Sequence, residues 1–300
     1  MVNGVRAIEI ALPGAARPAR RGWPATLWRF ASKKPLGAAG GLLVLGLIVG
    51  SIFAEELATH NPVRTSTHVL VAPGAEFLLG TDNLGRDLWS RVVYGSRISL
   101  VVGLASTLLG AGVGGLIGLF SGYVGGRTDL VVQRLMDIMQ ALPILVLALV
   151  LAAALGPSLS NTIIAISVVI APRAARVVRA SVLAIREFVY IESAFALGVG
   201  HLRVALRHVL PNTFGPFIVL VTAQLGGAIL AEAALSFLGL GIPEPYPSWG
   251  RMLSIAAAEY AQKAPWLVIF PGLAISLAVF GTNLLGDALR DTLDPRLRGA

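Results

Sequence analysis

The chain alternates between long apolar runs and shorter polar connections. Six runs approach or exceed about 20 residues, the length a helix needs to cross a hydrocarbon core. They are Gly37–Ala54, Ile98–Tyr123, Val131–Leu155, Asn161–Ala184, Phe214–Leu240 and Trp266–Leu289. The third and fourth carry polar residues (Gln133, Arg134 and Asp137; Arg173, Arg176 and Arg179). Pro143, Pro172 and Pro271 interrupt or begin spans, and such breaks are tolerated in a membrane only beside protein or a water-filled cavity. The first run imitates a signal-peptide core ending at Ala54, but its basic leader is longer than an n-region, which predicts a retained span. Within the second, Gly110, Gly114, Gly118 and Gly122 recur every fourth residue, with Ser106 one step earlier. That spacing puts a stripe of small residues on one helix face, where another backbone can approach closely.

Composition agrees with this pattern. Of 300 residues 55% are apolar and 13% charged, and mean hydropathy is +0.77. A soluble domain carries about 25% charged residues, so most soluble enzymes and disordered chains are excluded. The net charge of +8 forms no continuous basic stripe, which argues against a nucleic-acid partner. Its distribution orients the spans instead. With the N-terminus inside, 18 of the 24 Lys and Arg residues fall on the inner side and 6 outside. By the positive-inside rule both termini of this multi-pass chain are expected to be cytoplasmic. With zero cysteines there is no disulfide, thiolate nucleophile or cysteine-ligated metal.

Three segments follow from this topology. Residues 1–35 form a basic tail, with Thr26–Lys34 a candidate helix lying on the lipid surface. Residues 36–97 hold the first span and an external loop, and residues 98–300 a five-helix core with an internal loop at 185–213. A second external stretch, Gly241–Pro265, contains Pro243, Pro245, Pro247 and Trp249. With Trp266 it suits an interfacial aromatic belt or contact with an external protein.

Signatures of catalysis are missing. There is no G-x-x-x-x-G-K-[ST] phosphate loop, no H-E-x-x-H and no G-x-S-x-G. An intramembrane hydrolase therefore lacks its nucleophile, and His201 and His208 are too sparse a pair for a metal site. Glu232 lies in an apolar run, where an ionisable residue is a candidate for the translocation pathway or a structural partner. Asp137 follows Arg134 by three residues, which predicts a local pair. Arg173, Arg176 and Arg179 read as a cationic stripe anchoring the inner face. A proton-coupled carrier relaying through Glu232 and Asp137 is the rival class, but such folds often carry internal repeats and none is evident.

The internal loop carries the strongest signal. From Arg186 to Pro211 apolar residues recur near helical spacing, with Glu187 and Glu192 early and Arg203 and Arg207 late, as the helix dipole favours. Gly198 and Gly200 divide the run, predicting two short helices joined by a turn. Exposed apolar residues on such a pair would form a docking knob for another protein.

Glu192-Ser193-Ala194, then Gly198, then Leu210-Pro211 resembles the EAA loop of permease subunits in binding-protein-dependent ABC importers. Ser193 replaces the first alanine of that pattern and His208 its isoleucine. Three further stretches resemble the dipeptide/oligopeptide/nickel group, and within it the second, C-type permease. They are Leu79–Asp87, Leu235–Gly241 with Ser248-Trp249-Gly250, and Gly286–Asp291 with Leu293–Arg296. The resemblance spans residues 36–300. It implies an all-α, six-helix, MetI-like permease of a type I importer, without catalytic activity of its own. It implies a homologous B-type permease, two ATP-binding subunits that hold ATP and Mg, an external substrate-binding protein, surrounding lipid and a short-peptide substrate. Nickel, glutathione or heme are the alternative cargoes of the same group. The loop at Glu192–Pro211 would be the coupling helix seated on an ATPase.

Overall fold

In the computed structural model, which describes residues 31–293, the chain is a bundle of long helices. The proposed interfacial helix and the motif end at 294–296 lie wholly or mostly outside those residues. Four helices are long and apolar enough to cross a membrane, Pro35–Ile52, Leu88–Val124, His201–Phe237 and Trp266–Thr292. A bent pair makes a fifth. The chain is a multi-pass membrane protein.

The first helix, α1 (Pro35–Ile52), is apolar on all sides and little buried. It leans on the last helix through two glycines. A Cβ on Gly40 would sit 2.6 Å from Leu284 Cβ, and one on Gly281 would sit 2.8 Å from Leu43 Cβ. Lys34 and Asp291 close the same ends with a 2.6 Å ion pair.

The second helix, α2 (Leu88–Val124), starts ten residues before the predicted Ile98. Asp87 caps it by accepting from the Ser90 N–H at 3.0 Å. The polar residues that hid this start from an apolar window are engaged in helical contacts. Arg97, for one, donates to the carbonyl of Ile52, the last residue of α1, at 2.8 Å.

The third predicted span, Val131–Leu155, is not one rod. It breaks into α3 (Gly126–Ala141) and α4 (Ile144–Leu155), bent by 92°. The cause is Pro143, which lacks an N–H and pushes Leu142 out of helical conformation to φ −85°, ψ 140°. The next helix, α5 (Leu159–Arg186), contains the predicted Asn161–Ala184. Its 28 residues are long enough to cross, but four arginines fill its second half, so composition alone does not make it a span. The six-span count therefore rests on reading both α5 and the bent pair as crossings.

The bundle centres on α2 and α5, the most extensive helix pair. The glycine stripe makes it. Cβ atoms built on Gly110, Gly114 and Gly118 would overlap the backbone carbonyls of Ser167, Ala171 and Ala175, three positions of α5 at the same four-residue spacing. Gly122 meets Arg179 at 3.2 Å. Two helices of identical period thus run backbone to backbone, a contact no larger residue permits. Around this pair lie α7 (Leu210–Phe237), α8 (Trp249–Glu259) and α9 (Trp266–Leu293), with α6 (Val189–Ala196) at the end of α5.

Two polar expectations are corrected. Asp137 accepts from Arg176 at 2.7 Å rather than from Arg134, and Arg179 donates through Nε to Asp129 at 2.6 Å. The stripe on α5 thus ties α3 alongside, and of its three arginines only Arg173 has no partner among the described residues.

Candidate functional site

The loop singled out by sequence is an ordered hairpin. After Phe188 the chain forms α6, which stops at Gly198 with φ +78°. The N–H of Val199 donates to Ala194 at 3.0 Å and that of Gly198 to Phe195 at 2.9 Å, the paired closure of a helix ending in a left-handed residue. No atom lies within 4 Å of a Cβ built on Gly198, so backbone conformation rather than space requires glycine here.

The second half differs from the expected short helix. His201–Val204 passes through a π turn, Ala205–Val209, straight into α7. Pro211 explains the turn: it has no N–H to give Arg207 and its ring crowds that carbonyl, so the helix widens by one residue. The loop is thereby built onto a membrane helix, and force on one reaches the other.

Its inner face packs into the bundle. Ile191, Ala194, Val204 and Val209 are buried against Val178, Val182 and Ile185 of α5. Arg186 donates to the carbonyls of Gly122 and Tyr123 at 2.9 and 3.0 Å, and the Tyr123 hydroxyl donates to His201 at 2.7 Å. The outer face is apolar and bare, with Val189 at 76%, Leu197 at 85% and Leu202 at 73% exposure. Glu192 and Ser193 are exposed among them, and Pro211 is exposed beyond a half-buried Leu210. Ser193 satisfies its hydroxyl on the Val189 carbonyl at 2.9 Å, whereas Glu192 has no partner among the described residues.

At the opposite end Glu232 is fully buried. Its Oε1 accepts from Ser236 at 2.7 Å and Ser248 at 2.8 Å, and its Oε2 from Ser99 at 3.2 Å. The carboxylate therefore clasps α2, α7 and the segment leading into α8.

Sequence reasoning used Leu79–Asp87 only as a resemblance and missed what it builds. Asp82 accepts from the Arg86 backbone N–H at 2.9 Å and its Nε at 2.6 Å, while Arg86 Nη1 reaches Glu244 at 2.6 Å. Burial works against the charge on Arg86, but the bonds and fields of Glu244 and Asp82 outweigh it and hold its pKa above the ordinary arginine value. Arg91, also buried, donates to the Pro62 carbonyl at 2.9 Å. This network fastens the segment after α1 to the segment before α8. The available signal was the density of charge in Asp82, Arg86 and Asp87 beside an apolar span.

The chain matches the family described as "binding-protein-dependent transport system inner membrane component" over residues 114–299, from the middle of α2 through the loop to the end. The chain belongs to this family. It is a membrane permease component of ABC transport, not an enzyme. It is 42% identical over 276 residues to the dipeptide transport system permease protein DppC of Alkalihalophilus pseudofirmus, covering 90% of each chain. To the di/tripeptide transport system permease protein DppC of Pseudomonas aeruginosa it is 45% identical over 272 residues, 88% of this chain and 89% of the relative. A glutathione transport system permease protein, GsiD of Pectobacterium atrosepticum, is 38% identical over 273 residues, 90% of each. These relatives each align with about nine-tenths of the permease.

Proposed function

We propose that this permease is the C-type half of the translocation pathway of an ATP-driven importer of short peptides in a bacterial inner membrane, with both termini cytoplasmic. It pairs with a homologous B-type permease, two ATP-binding subunits that carry ATP and Mg, and an external substrate-binding protein. The observation that carries this is the hairpin at Glu192–Pro211, anchored on its inner face and presenting bare Val189, Leu197 and Leu202 outward. A solvent-facing apolar patch on a rigid support is a surface made for another protein. Because the hairpin continues into α7, closure of the ATPase pair moves the helix that carries Glu232 and Gln224. That shifts the permease pair between inward-open and outward-open states. Names of the relatives favour dipeptides and tripeptides, and glutathione, itself a tripeptide, falls in the same size class.

The test is reconstitution of the two permeases and two ATP-binding subunits in liposomes with the cognate binding protein outside. ATP-dependent uptake of a labelled dipeptide, absent when the binding protein is omitted, is the expected result. Uptake driven instead by a proton gradient without ATPase subunits, or uptake of nickel or heme alone, overturns the reading.

A further inference from the structure

A cavity of about 530 Å³ opens among α3, α4, α5 and α7. Its volume falls within the range of small-ligand sites, roughly 300–1,000 Å³. The walls are largely apolar, formed by residues such as Leu147, Ile166, Ile170 and Ala231. Four polar side chains line it: Gln140 near the end of α3, Arg173 and Arg176 on α5, and Gln224 halfway along α7. Arg176 is paired with Asp137, whereas Gln140, Arg173 and Gln224 make no side-chain hydrogen bond or ion pair among the described residues.

Arg173 is the exception on its helix. Arg176 and Arg179 are paired with Asp137 and Asp129, and Arg186 is spent on two carbonyls. An uncompensated cation at the middle of a 28-residue membrane helix is costly, and such a residue persists where it faces a cavity and does something there. The cavity wall also includes Leu142 and Ile144, either side of the 92° break. There α4 begins without a side-chain cap, so N–H groups of its first turn add positive potential at the same place. No carboxylate lines the cavity to oppose it. Asp137 of α3 is not itself in the lining, and at 2.7 Å it neutralises the lining residue Arg176, which leaves Arg173 as the unpaired cation of the cavity.

We propose that Arg173, with Gln140 and Gln224, binds the free carboxylate of the transported peptide in this cavity. The planar guanidinium takes both carboxylate oxygens, and the two amides donate from the flanks. The apolar walls accept side chains of any kind, so the site reads the peptide's end rather than its sequence. This rests on the short-peptide importer reading.

The test uses the purified permease–ATPase complex without its binding protein, and two probes, labelled Ala-Ala and its C-terminal amide. Wild-type complex is expected to bind Ala-Ala saturably and the amide at least about tenfold more weakly. Arg173→Gln removes that preference, Arg173→Lys keeps part of it, and Gln224→Leu weakens Ala-Ala selectively by a smaller factor. The Gln224 variant serves if Arg173→Gln fails to assemble. Unchanged Ala-Ala binding in these variants, equal loss for acid and amide, or no saturable binding by an uptake-competent complex overturns the proposal. Equal loss is the pattern of an arginine that pairs with an acid of the neighbouring permease. Failure of wild-type liposomes to take up dipeptide with ATP removes the importer reading itself, a result distinct from all three.

Discussion

Ser248 donates its hydroxyl to Glu232 Oε1 at 2.8 Å, joining the segment before α8 to the last turns of α7. A buried carboxylate held by three hydroxyls from three places in the chain acts as a rivet, whatever part it plays in transport. Glu232→Ala leaves three buried hydroxyls without their acceptor, and is expected to cost about 3 kcal/mol. Glu232→Gln keeps an acceptor oxygen and should cost about 1 kcal/mol. Thermal unfolding in detergent ranks the two. A Glu232→Gln protein of normal stability that transports nothing would return this residue to the pathway.

The contact of α2 with α5 gives a sharper test, because control positions lie on the same helix. A Cβ on Gly114 overlaps the Ala171 carbonyl, whereas one on Gly112 meets nothing within 4 Å. Gly114→Ala and Gly118→Ala are each expected to destabilise by about 1–3 kcal/mol through overpacking. Gly112→Ala should be neutral or slightly stabilising, since alanine is the better helix former. Equal unfolding temperatures for Gly112→Ala and Gly114→Ala would refute the backbone-to-backbone contact.

The Arg86 network predicts an asymmetry. Glu244 is a third exposed, so Glu244→Gln should cost about 1 kcal/mol or less. Arg86→Met leaves the buried Asp82 with only the longer Arg91 contact at 3.6 Å and should cost about 3 kcal/mol. Limited proteolysis between residues 59 and 86 is the local readout, since that segment is held down by these bonds. Faster cleavage in Glu244→Gln than in Arg86→Met would show that the burial of Asp82 is not what sets the cost.

Much of this was legible in the chain. Apolar runs located the helices because lipid imposes a length, and the four-residue glycine period named the face that meets α5. The hairpin was legible too, since Gly198 and Gly200 divide it. What escaped were features set between distant segments. A window that averages hydropathy starts α2 only at Ile98, because it counts Arg91 and Arg97 as polar without knowing that they find carbonyls at Pro62 and Ile52. Spacing along one helix suggested Arg134 for Asp137, while the closer cation was Arg176 on another. The 92° bend was only half legible: Pro143 marked its place, but the direction was decided by where α5 lies.

The last prediction concerns the hairpin, where folding and function should separate. Glu192 is exposed and makes no bond among the described residues, so Glu192→Ala is expected to leave membrane insertion and unfolding temperature within about 0.5 kcal/mol of wild type. Gly198 sits at φ +78°, so Gly198→Ala forces a side chain into left-handed backbone at a cost of about 1 kcal/mol. That is small against the stability of the bundle, yet it tilts α6 against the continuous helix that follows. Both variants should therefore reach the membrane while losing most uptake, and the binding protein should no longer stimulate ATP hydrolysis. The two differ in kind, one removing a surface charge and the other displacing the surface. A second change that restores contact, selected on the ATPase, is expected for Glu192→Ala and not for Gly198→Ala. Wild-type uptake rates in both variants would mean that the bare face at Val189, Leu197 and Leu202 does not transmit the closure of the ATPase pair.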